Sequence, residues 1–98
     1  MPFSKLGLSP ALLHVLASHN YTRPYPIQQE VIPAILNNND VLGIAPTGSG
    51  KTASYVLPIL TNLQQATGSK NRHINVLVLA PTRELAMQVS DVFKLFRL

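Results

Sequence analysis

Between Ala45 and Thr52 the chain reads Ala-Pro-Thr-Gly-Ser-Gly-Lys-Thr, set between the apolar run Val41 to Ala45 and a long helical pattern. Gly48 and Gly50 let the backbone turn tightly enough to aim successive N–H groups at one anion, Lys51 adds a positive charge, and Thr52 adds a hydroxyl suited to Mg²⁺. A strand, a glycine turn and a helix start must follow one another here. That order predicts a phosphate cradle of the P-loop type, even though the strict pattern has glycine where this chain has Ala45.

Ninety-eight residues make one domain at most. Hydrophobic residues make up 46% and charged residues 12%, against about 25% charged in ordinary soluble domains, so the composition predicts apolar surface that wants covering. Lys and Arg outnumber Asp and Glu by 8 to 4, a balance that suits an anionic partner such as a nucleotide or a nucleic acid. The absence of cysteine excludes disulfides and thiolate metal sites. Neither a secretory pattern at the start nor an apolar run long enough to span a membrane is present, and a soluble cytoplasmic protein is the expectation.

Along the chain, Ser9-Pro10 reads as an N-cap followed by proline at the first helical position, and Leu12, Leu13, Val15 and Leu16 supply the apolar stripe of a short helix ending near His19-Asn20. Pro24 and Pro26 hold the next residues extended before a second helix, Ile27 to Leu36, in which Pro33 predicts a kink. Asn37 to Asp40 is a turn by composition and leads into a strand, Val41 to Ala45. The helix after the glycine turn carries Ala53, Val56, Leu57, Leu60 and Leu63 on one face, with a second kink expected at Pro58. Residues 66–73 form a polar loop, and Ile74 to Ala80 is an almost unbroken apolar strand, the pattern of a parallel strand buried on both faces. The stretch from Val41 to Ala80 thus predicts a right-handed βαβ crossover. A last helix follows, with Leu85, Val89, Val92, Phe93 and Phe96 on one face, and its pattern runs to Leu98 without a closing glycine or proline, so the chain is expected to end inside an element.

Three segments together carry a resemblance. Tyr21-Thr22-Arg23-Pro24-Tyr25-Pro26-Ile27-Gln28, the glycine stretch Ala45 to Thr52, and Pro81-Thr82-Arg83-Glu84-Leu85-Ala86 resemble, in order, the Q motif, motif I and motif Ia of the DEAD-box ATP-dependent RNA helicases, and Phe3 matches the lone aromatic upstream. The resemblance implies an α/β fold: part of a RecA-like P-loop domain, with parallel strands and flanking helices, truncated after the second strand–helix unit. Residues 1–38 would be the Q-motif helical region and residues 39–98 the βαβα core.

By the same resemblance the cofactors are ATP and Mg²⁺. The nucleotide site comprises Tyr21, Arg23, Gln28, Pro46, Thr47, Gly48, Ser49, Gly50, Lys51 and Thr52, with Thr52 reaching Mg²⁺ through the nucleotide. Tyr21 stacks on the base, and the carboxamide of Gln28, with one donor group and one acceptor, is matched to the adenine edge. Pro81, Thr82 and Arg83 hold the backbone of single-stranded RNA at a helix start. Asn20 stands where the family often has glycine and tolerates the left-handed conformation glycine would adopt, while Pro46 stands where glutamine is common and removes one N–H. His14, His19 and His73 lack companions at metal-ligand spacing, and Tyr55 and Phe93 read as packing residues.

Of the four acids, Glu30 and Asp91 lie within helical patterns, Glu84 opens one, and Asp40 precedes the first strand; none closes an apolar strand as a Mg²⁺-holding P-loop acid does. The Asp-Glu-Ala-Asp box, the Ser-Ala-Thr motif and a second RecA-like domain are absent from the sequence. The expectation is therefore a nucleotide-binding segment of a helicase without hydrolysis of its own. The alternatives are a non-enzymatic nucleotide- or RNA-binding module and a nonfunctional remnant. Two lone strands also predict self-association through their unpaired edges.

Overall fold

The computed structural model describes residues 2–46, 48–65 and 76–97. Thr47, the polar loop 66–73 with Lys70, Arg72 and His73, and the first two residues of the expected second strand, Ile74 and Asn75, lie outside the described residues.

After a 3-10 turn at Phe3–Lys5, the chain forms α1 (Pro10–Ser18), α2 (Pro26–Leu36), α3 (Lys51–Gln65) and α4 (Arg83–Phe96). The local signals explain the starts. Ser9 accepts a hydrogen bond from the Leu12 N–H at 3.3 Å, and Thr82 accepts one from the Leu85 N–H at 3.1 Å, so each hydroxyl satisfies one of the orphan donors of a first turn. Pro10 and Pro26 occupy first-turn positions, where the missing N–H costs no hydrogen bond. Pro33 and Pro58 sit inside α2 and α3, and both helices continue through them, each losing one backbone bond.

Helix α3 is the central element and packs against α1, α2 and α4. One core joins Phe3, Leu6 and Leu8 of the leading segment to Leu12 and Leu16 of α1, Ile32 of α2, Ala53, Val56 and Leu57 of α3, and Phe96 of α4. The leading segment is also tied by polar contacts, because the Ser9 hydroxyl donates to Gln64 Oε1 at 2.6 Å and the Ser9 N–H donates to Thr61 Oγ1 at 3.4 Å. Tyr55 and Phe93 lie partly buried against this core, as packing residues do.

The strands differ from expectation. Among the described residues none is in a β-ladder: the stretches 41–46 and 76–80 are extended in sequence pattern but carry no strand pairing. Side-chain exposure still alternates with period two along both. Leu42 is 86% and Ile44 83% exposed, whereas Val41 is 41%; Leu77 is 76% and Leu79 84%, whereas Val76 and Val78 are 36% and 37%. The less exposed residues face the helices, with Val41 beside Ile27 and Val31 of α2, and with Val76 and Val78 beside Ile59 and Leu63 of α3 and Phe93 of α4. The expectation that the second segment is buried on both faces fails for Leu77 and Leu79. Helices cover only one side, and a strand without a hydrogen-bonded neighbour has nothing to hold a ladder.

Candidate functional site

Tyr21 is placed by the end of α1. The Tyr21 N–H donates to the Leu16 C=O at 2.9 Å and the Asn20 N–H donates to the Ala17 C=O at 3.1 Å, the two bonds of a Schellman closure. Its left-handed position is filled by Asn20, at φ 63°, one of the few non-glycine residues that enter this region at low cost. Asparagine at this position thus closes the turn without glycine. From it the Tyr21 ring meets the Phe96 ring edge to face, with centroids 5.2 Å apart and planes at 80°.

Gln28 is placed by the start of α2. Its Oε1 accepts a hydrogen bond from the Tyr25 N–H at 2.9 Å, closing the first turn back on the residue before the helix. Its Nε2 donates to the Gly50 C=O at 3.1 Å. Gln28 is only 2% exposed, yet a carboxamide has two N–H groups and two lone pairs on oxygen, so one donor and one acceptor remain for a base edge. Neighbouring Gln29 donates to the Pro24 C=O at 3.1 Å, fixing the two-proline approach to the helix.

The glycine turn wraps the N-terminus of α3. Gly48 and Gly50 have φ of 85° and 84°, conformations that side chains resist. The Ser49 N–H donates to the Pro46 C=O at 3.2 Å, and Gly50 C=O takes a second bond from the Ser54 N–H at 3.3 Å. The Ser54 hydroxyl folds back onto the Lys51 C=O. Ser49 Oγ is buried and has no hydrogen-bond partner among the described residues. A buried hydroxyl left this way is costly, and it precedes the first turn of α3, whose N–H groups and dipole favour an anion. The residues present therefore fit a phosphate group, with Ser49 Oγ, Lys51 and the Thr52 hydroxyl as further donors and ligands.

These pieces share one cleft of about 820 Å³. Tyr21, Arg23, Gln28, Gly48, Gly50, Lys51 and Thr52 line it together. Pro46 and Ser49 stand outside the lining, and Thr47 lies outside the described residues. Pro81, Thr82 and Arg83 form the exposed start of α4, away from the cleft walls. There the Thr82 oxygen is engaged with the Leu85 N–H, leaving its O–H free to donate to a phosphate.

One wall of the cleft comes mostly from outside the three motif segments. Leu85, Gln88, Val92 and Phe96 of α4 face the cleft, at helical spacing along most of the helix. Three of them belong to the stripe that sequence patterning assigns to packing; the polar Gln88 within that stripe was the available signal that this face also borders a site. No acid lines the cleft: Glu30, Asp40, Glu84 and Asp91 are all exposed elsewhere. Among the described residues no group of acids, histidines or cysteines is placed to hold a metal by itself.

Residues 25–97 match the family model described as DEAD/DEAH box helicase. The chain is 52% identical over 89 residues to the ATP-dependent RNA helicase SrmB of Escherichia coli, covering 91% of this chain and 20% of that protein. It is 48% identical over 94 residues to the ATP-dependent RNA helicase DeaD of Haemophilus influenzae, covering 96% of this chain and 15% of that protein. Its fold is similar to the RNA helicase Prp28 from Chaetomium thermophilum, solved bound to ADP, with a TM-score of 0.87 and 39% identity over 97% of this chain and 23% of that one. The chain therefore spans about a fifth or less of the length of these curated relatives.

Proposed function

The chain belongs to the DEAD/DEAH box helicase family, and from that premise we propose that it is the segment of an ATP-dependent RNA helicase that selects and holds the adenine nucleotide. The observation that carries this reading is the hydrogen bond from Gln28 Nε2 to Gly50 C=O. It joins the group suited to reading a base directly to the loop suited to holding phosphates, within one cleft. Tyr21 supplies the stacking surface, and Arg23 sits at the rim.

In this reading the α- and β-phosphates lie on the first-turn N–H groups of α3 and on Ser49 Oγ, Lys51 neutralises the terminal phosphates, and Thr52 faces a nucleotide-bound Mg²⁺. When bound, ATP and Mg²⁺ supply the phosphoryl chemistry that drives unwinding in the whole helicase. This chain's contribution is binding and orientation, because its acids all stand outside the cleft. Pro81, Thr82 and Arg83 contact the backbone of single-stranded RNA. In the whole RecA-like domain, residues 41–45 and 76–80 become parallel strands of a completed sheet, with residues 1–38 as the helical region in front of a βαβα core. In isolation their bare faces favour association with a second copy.

A second reading rests on the acid-free cleft: a module that binds nucleotide or RNA without hydrolysis. Phosphate release assays on the purified chain, with and without single-stranded RNA, test the binding-only role that both readings give this chain. Nucleotide binding without RNA-stimulated release is expected of this chain, and RNA-dependent release from it would contradict the binding-only role.

A further inference from the structure

Tyr21 follows a turn, is 38% exposed, and stands at the edge of the cleft. A tyrosine in that position can sweep through several rotamers unless something fixes its ring plane. Among the described residues its aromatic contact is Phe96, which is 1% exposed, is built into the core, and is the last residue of α4. Phe96 is gripped in turn by His19, with ring centroids 5.9 Å apart and planes at 87°. His19 and Tyr21 flank Asn20, so a single buried ring contacts both sides of the turn that presents Tyr21 to the cleft.

Resting on the adenine reading above, we infer that Phe96 is the positioning residue of the base-stacking platform: it fixes the plane of Tyr21 by an edge-to-face contact and so pre-organises the ring for the base. Perpendicular aromatic pairs are favoured by their quadrupoles. Either sense of the contact leaves at least one face of Tyr21 uncovered by Phe96. The base then stacks on a ring whose orientation is already set, and less rotamer freedom is lost on binding. The glycine turn has no part in this contact, because the aromatic partners of Phe96 among the described residues are His19 and Tyr21. The effect is therefore confined to ligands that carry a base.

The test is calorimetric titration of the chain with ADP and, separately, with inorganic tripolyphosphate, using Phe96→Leu, Tyr21→Ala and the double variant. Phe96→Leu is expected to weaken ADP binding roughly three- to tenfold, the range of an aromatic pair contact. Tripolyphosphate binding should stay within about twofold. In the Tyr21→Ala background Phe96→Leu should add nothing for ADP. A loss for tripolyphosphate equal to that for ADP would assign Phe96 a merely structural role and overturn the inference, as would unchanged ADP binding. If Tyr21→Ala itself leaves ADP binding unchanged, the adenine reading fails and the inference with it; loss with Tyr21→Ala but not with Phe96→Leu sinks the inference alone. One measurement is independent of how the variants fold: in the unaltered chain the Phe96 ring resonances should shift with ADP and stay in place with tripolyphosphate, and equal shifts with both would overturn the proposal.

Discussion

Gln28 Nε2 donates to the Gly50 carbonyl oxygen at 3.1 Å, so the first turn of α2 and the phosphate loop ahead of α3 are joined through one buried carboxamide. The same side chain holds the Tyr25 N–H at 2.9 Å. In the role proposed for Gln28, base recognition and loop geometry therefore depend on one residue. Gln28→Ala leaves the Tyr25 N–H without this partner and takes one of two bonds from Gly50; unfolding in urea should show a loss of about 1–3 kcal/mol. ADP titration of the same variant should show weakening beyond that of an α2 surface substitution such as Glu30→Ala.

The two glycines of the turn are not equivalent. A Cβ on Gly50 would stand 2.5 Å from both Gln28 Nε2 and Tyr25 Cδ2, whereas one on Gly48 would meet nothing within 4 Å. Both have positive φ, so Gly48→Ala should cost about 1–2 kcal/mol of backbone strain alone. Gly50→Ala carries that strain and a steric clash, and should also abolish ADP binding. Urea unfolding and ADP titration of the pair check the order; equal effects would contradict the packing described around Gly50.

Asn20 at φ 63° holds the turn that presents Tyr21. Asn20→Gly should therefore leave stability within about 0.5 kcal/mol, while Asn20→Val should lose about 1–2 kcal/mol, since a β-branched side chain resists the left-handed region. Thermal unfolding of the two variants reads the difference directly.

Much of this site was legible in the sequence because its parts are local. Ser9-Pro10 and Pro26 mark helix starts, Gly48 and Gly50 mark the turn, and Asn20 mimics glycine at a helix end; each signal acts within a few residues of its effect. What was not legible depends on distant neighbours. The apolar run of residues 76–80 reads as a doubly buried strand, but burial on the second face needs a layer these residues do not contain, and Leu77 and Leu79 stand in solvent. The role of Phe96 was hidden for the same reason, since an aromatic on a helical stripe looks like core until its contact with Tyr21 is seen.

The bare faces of residues 41–46 and 76–80 predict concentration-dependent association. Replacing Leu42 and Leu77 by lysine should reduce it, as charges on exposed edges do, while changing stability by no more than about 0.5 kcal/mol, because both side chains are largely exposed. Sedimentation velocity over a range of concentrations checks this. A chain that is already monomeric at every concentration contradicts the proposed self-association.

The most direct test of the central claim is a parallel titration of the chain with ADP and GDP, repeated with Lys51→Ala. Selection of adenine by Gln28 predicts that ADP binds roughly ten- to hundredfold more tightly than GDP, the scale of a well-made bidentate base contact. Lys51→Ala should weaken both nucleotides by at least about tenfold through loss of the charged phosphate contact. Equal affinity for ADP and GDP, or ADP binding untouched by Lys51→Ala, would contradict the assignment of this cleft as an adenine-nucleotide site.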